Sequence, residues 1–339
     1  MSINIISLHG ELWSQLQAQR DRLAHALLFV GREGIGKYEF AQAFAHSLLC
    51  EQPRADGFAC GQCAACNWLA QGNHPDFREL RPEAMDEAEE GGEKKKGGKE
   101  VTINQVRALD DFLHVGTHRE GLRVILLHPA EAMNRNTANA LLKTLEEPSP
   151  GTIFLLVSSA PERLLPTIRS RCRTVGVPTP PAGPAMAWLK AQGIGKPEKW
   201  LALTGGAPLR ARAVAGSGQG GLLDLLIELF SSGAGIAVLD AAARIDKLVR
   251  AGDAGVDLRH TVEWTQRWCA DLSCIVAALP ARYYPEQAGT MSGLKPRIDN
   301  IKLLRFNRKS IEFKKLSEHT LNSRLFIEDF LLEYRSIFR

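Results

Sequence analysis

Seven residues, Gly31-Arg32-Glu33-Gly34-Ile35-Gly36-Lys37, set the tightest limit on what this chain can fold into. They follow a short apolar run, ALLFV at 26–30, and they open a segment in which Phe40, Ala41, Phe44, Ala45, Leu48 and Leu49 recur at the spacing of an amphipathic helix. A buried strand that ends in a glycine loop and passes straight into a helix is the first unit of a parallel α/β sheet. The glycines let successive backbone N–H groups converge on an anion at the helix N-terminus, and the lysine adds a mobile positive charge. The segment satisfies G-x-x-x-x-G-K-[ST] at every fixed position but the last. Tyr38 stands where a short hydroxyl normally ligates Mg²⁺ beside the phosphates. A phenol oxygen sits at the far end of a rigid ring and cannot take that place.

A second loss points the same way. The apolar run Val124–Leu127 fits a central strand, and in a working phosphate-loop ATPase such a strand ends in an aspartate that organises the magnesium. Here it ends in His128-Pro129, neither of which ligates a hard cation as a carboxylate does. Glu131 lies three residues further on, and compensation from there would need unusual geometry. Gly31, Gly34, Gly36 and Lys37 are the candidate nucleotide-binding residues; whether they still hold ATP stays open, but hydrolysis by this chain is not expected. A third apolar run, Ile153–Val157, completes three parallel strands and predicts a doubly wound domain over about the first 175 residues.

Four of the seven cysteines crowd into seventeen positions: Cys50, Cys60, Cys63 and Cys66. Two Cys-x2-Cys spacings place sulfurs on one side of a metal, and four thiolates satisfy a tetrahedral structural Zn²⁺ with no open position for catalysis. Gly57 and Gly61 supply turn freedom between them. Four unrelated reduced thiols and an iron–sulfur cluster are the alternatives. Cys269 and Cys274 sit in an apolar helical stretch and are expected to be small core residues, while an odd cysteine count argues against a secreted disulfide framework. The N-terminus, MSINIISLHGELW, has no basic region followed by an apolar one, and no stretch reaches the roughly 18 apolar residues that span a bilayer. A cytoplasmic protein without membrane contact is the expectation.

The remaining chain is organised by composition. Asp86–Glu100 is a polar, low-complexity insert, expected to be a solvated surface loop, with a binding tail as the alternative. Pro178–Pro184 marks the exit from the first domain, a small helical segment follows over Met186–Val214, and the glycine-dense 216–221 reads as a flexible linker. Beyond it the pattern is helical to the end. Residues 295–339 carry eleven Lys/Arg against six Asp/Glu, a local excess of +5 in a chain of net +4, so any nucleic-acid contact would be local, and these cations are most simply solvated helix faces.

NALLKTLEEP at 139–148, IRSRC at 168–172, HALLFVG at 25–31 and NHPD at 73–76, together with the cysteine insert after the loop helix, are similar to the clamp-loader subunits of bacterial DNA polymerase III, members of the AAA+ family. NSRLFIEDFLL at 322–332 resembles the last helix of their collar. Within that family the gamma/tau subunits keep the Mg²⁺ ligands, so the departures at Tyr38 and His128 favour the delta-prime side. The resemblance implies an AAA+ P-loop domain over 1–176 with a zinc module at 50–66, a small helical lid domain over 177–217, and an all-α collar domain over 218–339 through which subunits oligomerise. It further implies partnership with gamma/tau and delta subunits in a hetero-pentameric ring within the polymerase holoenzyme. Sliding clamp and primer–template DNA would be met through that assembly.

The same resemblance makes Arg171, inside the Ser-Arg-Cys tripeptide, an arginine finger acting in trans on ATP held by the adjacent gamma/tau subunit. Arg169 is the nearby decoy. The second-sensor arginine of the family is displaced: Leu209 occupies its place and Arg210 falls one position late, a rotation of about 100° around the helix. Ser158 and Ser159 match the family's first polar sensor only loosely. Two competing functions remain at this level, an active clamp-loader ATPase that keeps Lys37 in use, and a zinc-dependent nucleic-acid-binding module with a vestigial phosphate loop.

Overall fold

A computed structural model describes residues 4–85, 98–114, 121–251, 256–317, 319 and 322–339. Residues 86–97, most of the insert expected as a surface loop, lie outside the described part. The chain divides into two compact units, 1–180 and 181–339.

In chain order the first unit contains α1 (Gly10–Ala18), β1 (Ala26–Val30), α2 (Lys37–Leu49), α3 (Ala64–Ala70), β2 (Phe77–Leu80), α4 (Ile103–His114), β3 (Arg123–Leu127), α5 (Arg135–Glu146), β4 (Thr152–Ser158), α6 (Pro166–Arg169) and β5 (Arg173–Gly176). All five strands run parallel in the order β2-β3-β4-β1-β5. The three expected strands are the inner ones, and every residue of β3 and β4 is buried. That is why they read as unbroken apolar runs: helices cover both faces. Phe29 of β1 packs on Phe40 and Phe44 of α2 with ring centroids 5.8 and 6.5 Å apart, and Trp13 of α1 meets the same two rings edge-on. On the other face Leu28, Leu127, Phe154 and Leu156 pack against Val106 and Leu109 of α4 and Leu141 and Leu145 of α5. Each such side chain contributes about 1.5–3 kcal/mol when fully withdrawn from water. Asn134 starts α5 by accepting the Thr137 N–H at 3.0 Å, the arrangement of an N-cap.

The edge strands β2 and β5 escaped the sequence reading. Each has four residues, and Arg78, Arg173 and Thr174 are exposed, so neither shows an apolar run. The carboxyl ends of β1, β3 and β4 bring Gly31, His128 and Ser159 to one edge of the sheet, where parallel α/β sheets bind ligands.

The second unit is helical throughout: α7 (Ala182–Ala191), α8 (Pro197–Leu203), α9 (Pro208–Gly216), α10 (Gly220–Ser231), α11 (Val238–Ala251), α12 (Leu258–Val276), α13 (Ala288–Leu294), α14 (Asn300–Leu316) and α15 (Ser323–Arg335). One apolar core runs through it, from Leu203 and Val214 to Phe230, Trp264, Trp268, Phe330 and Tyr334. Trp268 Nε1 donates to the Tyr334 hydroxyl, which donates to the Phe230 carbonyl, both at 3.1 Å, so the two large polar-tipped rings are satisfied inside the core. Cys269 is fully buried there, as expected of a core thiol. The glycine-dense 216–221 is not a flexible linker. Gly216 ends α9, Gly218 makes a tight turn at φ 72°, and Gly220 and Gly221 open α10. Glycine density marked a close interhelical turn rather than a tether. No helix among the described residues is long and apolar enough to cross a membrane.

Candidate functional site

The phosphate loop connects β1 to α2 as its sequence requires. Gly36, the residue before α2, has φ 94°, and a side chain at Gly31 would place its Cβ 2.6 Å from the Val177 carbonyl oxygen just beyond β5. Glycine is therefore obligatory at both positions. Lys37 is almost wholly buried (4% exposed); its ammonium donates to the Arg32 carbonyl at 2.5 Å and to Ser159 Oγ at 2.9 Å. Burial pulls this ammonium down to about 8, opposed by the carboxylates of Glu131, Glu33 and Glu39. The loosely matched sensor, Ser159, thus lies within reach of the loop lysine.

Tyr38 and His128, the two residues that depart from the ATPase pattern, lie side by side. The rings of Tyr38 and His128 stack on each other with centroids 4.8 Å apart and an interplanar angle of 26°. Tyr38 donates its hydroxyl proton to Glu79 Oε1 at 2.8 Å and accepts from Gln42 Nε2 at 3.0 Å. Burial holds the His128 imidazole down to about 4, with Glu131 opposing the shift, so it is neutral at physiological pH. Glu131 Oε1 accepts the Ser159 N–H at 2.9 Å, committing one oxygen of the only nearby acid considered as a replacement ligand. Two stacked rings, that of Tyr38 pinned by hydrogen bonds, stand where the ATPase pattern has a hydroxyl and a carboxylate. Glu79 escaped the sequence reading because it lies on β2, which no apolar pattern announced.

At the other end of α2, Cys50 is the C-cap residue and Cys63 is the N-cap of α3. The four sulfurs lie within 4.8 Å of one another, with Cys50–Cys63 and Cys60–Cys66 at 3.9 Å and Cys50–Cys66 at 3.6 Å. Four thiolates about 2.3 Å from a tetrahedral metal would be about 3.8 Å apart, so the donor set fits an ion such as Zn²⁺. Backbone N–H groups of Cys60, Gln62, Cys63 and Cys66 donate to the sulfurs of Cys50, Cys60, Cys60 and Cys63 at 3.2–3.4 Å. Those of Gln62 and Cys63 pull the Cys60 thiol down to about 6, whereas burial pushes Cys66 up to about 12. The excursion is docked on α1. Trp13 stacks on Phe58 at 4.0 Å and donates its indole N–H to the Asp56 carbonyl at 2.9 Å. His74, in the NHPD segment, is structural: its Nδ1 accepts the Asp76 N–H at 3.0 Å on the way into β2.

Arg171 follows α6. Its side chain is one-third exposed, with Nη2 2.5 Å from Glu146 Oε1 at the end of α5 and Nη1 donating to the Thr167 carbonyl at 2.9 Å. The flanking residues divide the labour, Ser170 being exposed while Cys172 and Ile168 are buried in the core under α5 and α6. The backbone at Arg171 is thereby anchored and its guanidinium presented at the surface. Arg169 is also exposed, and nothing about its placement distinguishes it. Arg210 pairs with Glu263 of α12 at 2.6 Å, and Glu263 also holds Arg267 at 2.6 Å, so the displaced arginine serves the packing of the second unit. Sequence reasoning named Arg210 but could not name its partner, 53 residues away.

Strand order, glycine loop and the residues at the strand ends define an AAA+-type P-loop module that carries a four-cysteine insert. Residues 9–181 match the family described as DNA polymerase III, delta subunit, and the chain belongs to that family. DNA polymerase III subunit delta' of Pseudomonas aeruginosa is 47% identical over 211 residues, covering 61% of this chain and 60% of the relative. The subunit of the same name from Escherichia coli is 35% identical over 199 residues, 58% of this chain and 56% of that protein. The match thus spans less than two thirds of the length of these curated relatives. A solved structure, the gamma subunit-related protein of Thermotoga maritima, aligns over 96% of this chain and 99% of its own with 18% identity and a TM-score of 0.46. The resemblance to the delta-prime side of the clamp-loader family is borne out.

Proposed function

We propose that this chain is a clamp-loader subunit that does not hydrolyse ATP itself and lends Arg171 to a nucleotide held by an adjacent gamma/tau-type subunit. The observation that carries the first half is the Tyr38–His128 stack at the two magnesium-ligand positions. Without a cation to bridge and neutralise the phosphates, a bound triphosphate would lack the main source of charge stabilisation for phosphoryl transfer. The second half rests on Arg171: a permanently charged fork, one-third exposed, on a backbone fixed by the buried Cys172. The ring of gamma/tau, delta and this chain, the clamp and the primer–template DNA belong to the same proposal. So do a structural zinc in the thiolate cluster, a lid role for α7–α9 and a collar role for α10–α15.

The test is a reconstituted complex in which the only competent ATP site is the one facing this chain. Arg171→Ala should leave assembly intact, by size-exclusion chromatography, and lower turnover at that site by a factor on the order of 10³. Unchanged turnover in the assembled mutant complex would refute the finger role.

A further inference from the structure

The acidic end of α5 bears directly on Arg171, and it has no role in the proposed reaction as described so far. Glu146 Oε1 lies 2.5 Å from Arg171 Nη2, and the Thr167 carbonyl accepts from Nη1 at 2.9 Å. The guanidinium is therefore held from two sides, by a carboxylate on α5 and by a main-chain oxygen of α6, and its remaining N–H groups are left for another acceptor. Both side chains of the pair are well exposed, 34% and 47%. An ion pair this wet adds little to folding stability, because solvent screening offsets most of its Coulomb attraction. What it does restrict is rotamer choice: an arginine carries a large side-chain entropy that must be lost when it meets a ligand, and a group already held loses less of it.

We propose that Glu146 is a positioning residue for Arg171, fixing the direction in which the guanidinium is offered to the neighbouring subunit's triphosphate. This rests on the finger reading above and adds a second residue to it. Glu146 touches no phosphate itself. Two effects oppose each other. The carboxylate partly neutralises the finger's charge, and it holds the fork in place. In an exposed pair the first is weakened by water, whereas orientation matters fully at the transferring group. Orientation should win, so removal of Glu146 should slow the reaction.

The test uses the same reconstituted complex with a single competent site. Glu146→Ala should lower kcat about fivefold to tenfold, with KM for ATP changed less than about twofold, because positioning acts on the transition state and not on ground-state binding. Glu146→Gln, which keeps an acceptor of the same length, should recover part of the loss. In the Arg171→Ala background, Glu146→Ala should cause no further fall, since a residue that acts only through Arg171 has nothing left to position. A Glu146→Ala complex as fast as wild type or faster, or a fall of equal size with and without Arg171, would overturn the assignment and leave the finger itself standing. If Arg171→Ala alone had no effect, finger and positioning residue would fall together.

Discussion

Helix α2 has a candidate site at each end, a glycine loop at its start and a cysteine cluster at its finish, and the two differ in what they could hold. At its N-terminus the glycine loop and Lys37 are in place, yet the positions that would meet magnesium carry stacked rings. At its C-cap begins a set of four cysteines with sulfur spacings suited to a tetrahedral ion. A catalytic magnesium ion needs hard oxygen ligands and an open side facing substrate. A structural zinc ion needs only a closed soft donor set. Tyr38 and His128 supply no hydroxyl–carboxylate pair at the start of the helix, while Phe40, Phe44 and Ala45 along it are buried against the sheet. On the proposed reading, the fold would forgo hydrolysis and keep the scaffold that presents Arg171.

The largest effect that would sharpen this contrast is at the thiolate end. Cys66→Ser removes a buried sulfur that lies 3.6 Å from Cys50. The wild-type chain should contain about one zinc, and the variant should lose most of it, because binding to such sites contributes on the order of 10 kcal/mol. Elemental analysis together with limited proteolysis around residues 50–66 would read this out. Equal metal content in both proteins, or none in a fully folded wild type, would dissolve the comparison.

A smaller effect tests the ring stack. Burial lowers the His128 pKa to about 4, against about 6.5 in an unfolded chain. Between those values the unfolded state binds more protons, so His128 makes stability fall as the pH drops through 6.5 toward 4, and its cost is absent above 6.5. On the order of 2 kcal/mol should separate pH 7 from pH 4.5 on this account. His9, His46 and His74, also held low by burial, add slope to any variant alike. His128→Phe, which preserves a stacking ring, should flatten the pH dependence of the urea midpoint by that amount. Parallel curves for the two proteins would mean that His128 is not the neutral, sequestered ring described.

Much of this was legible in sequence where a local rule operates. The glycine loop, the amphipathic period of α2, the three inner strands and the Cys-x2-Cys spacings each reflect neighbours a few residues apart. Long-range partners were not legible. Glu79 reaches Tyr38 from an edge strand too short and too polar to show a pattern, and Glu146 meets Arg171 across 25 positions. Glu146 did stand inside the NALLKTLEEP segment that carried the family resemblance, a signal of importance without a partner. The glycines at 216–221 misled for a physical reason: the same conformational freedom serves a flexible tether and a tight helix-to-helix turn, and only packing separates them.

The central claim is that rings in place of magnesium ligands leave this chain unable to cleave ATP. Steady-state phosphate release by the purified chain, alone, with Mg²⁺ and ATP and with or without primed DNA, tests it most directly. The account predicts no turnover above a protein-free control, and no difference between wild type and Lys37→Ala. Magnesium-dependent turnover that disappears in Lys37→Ala would contradict it.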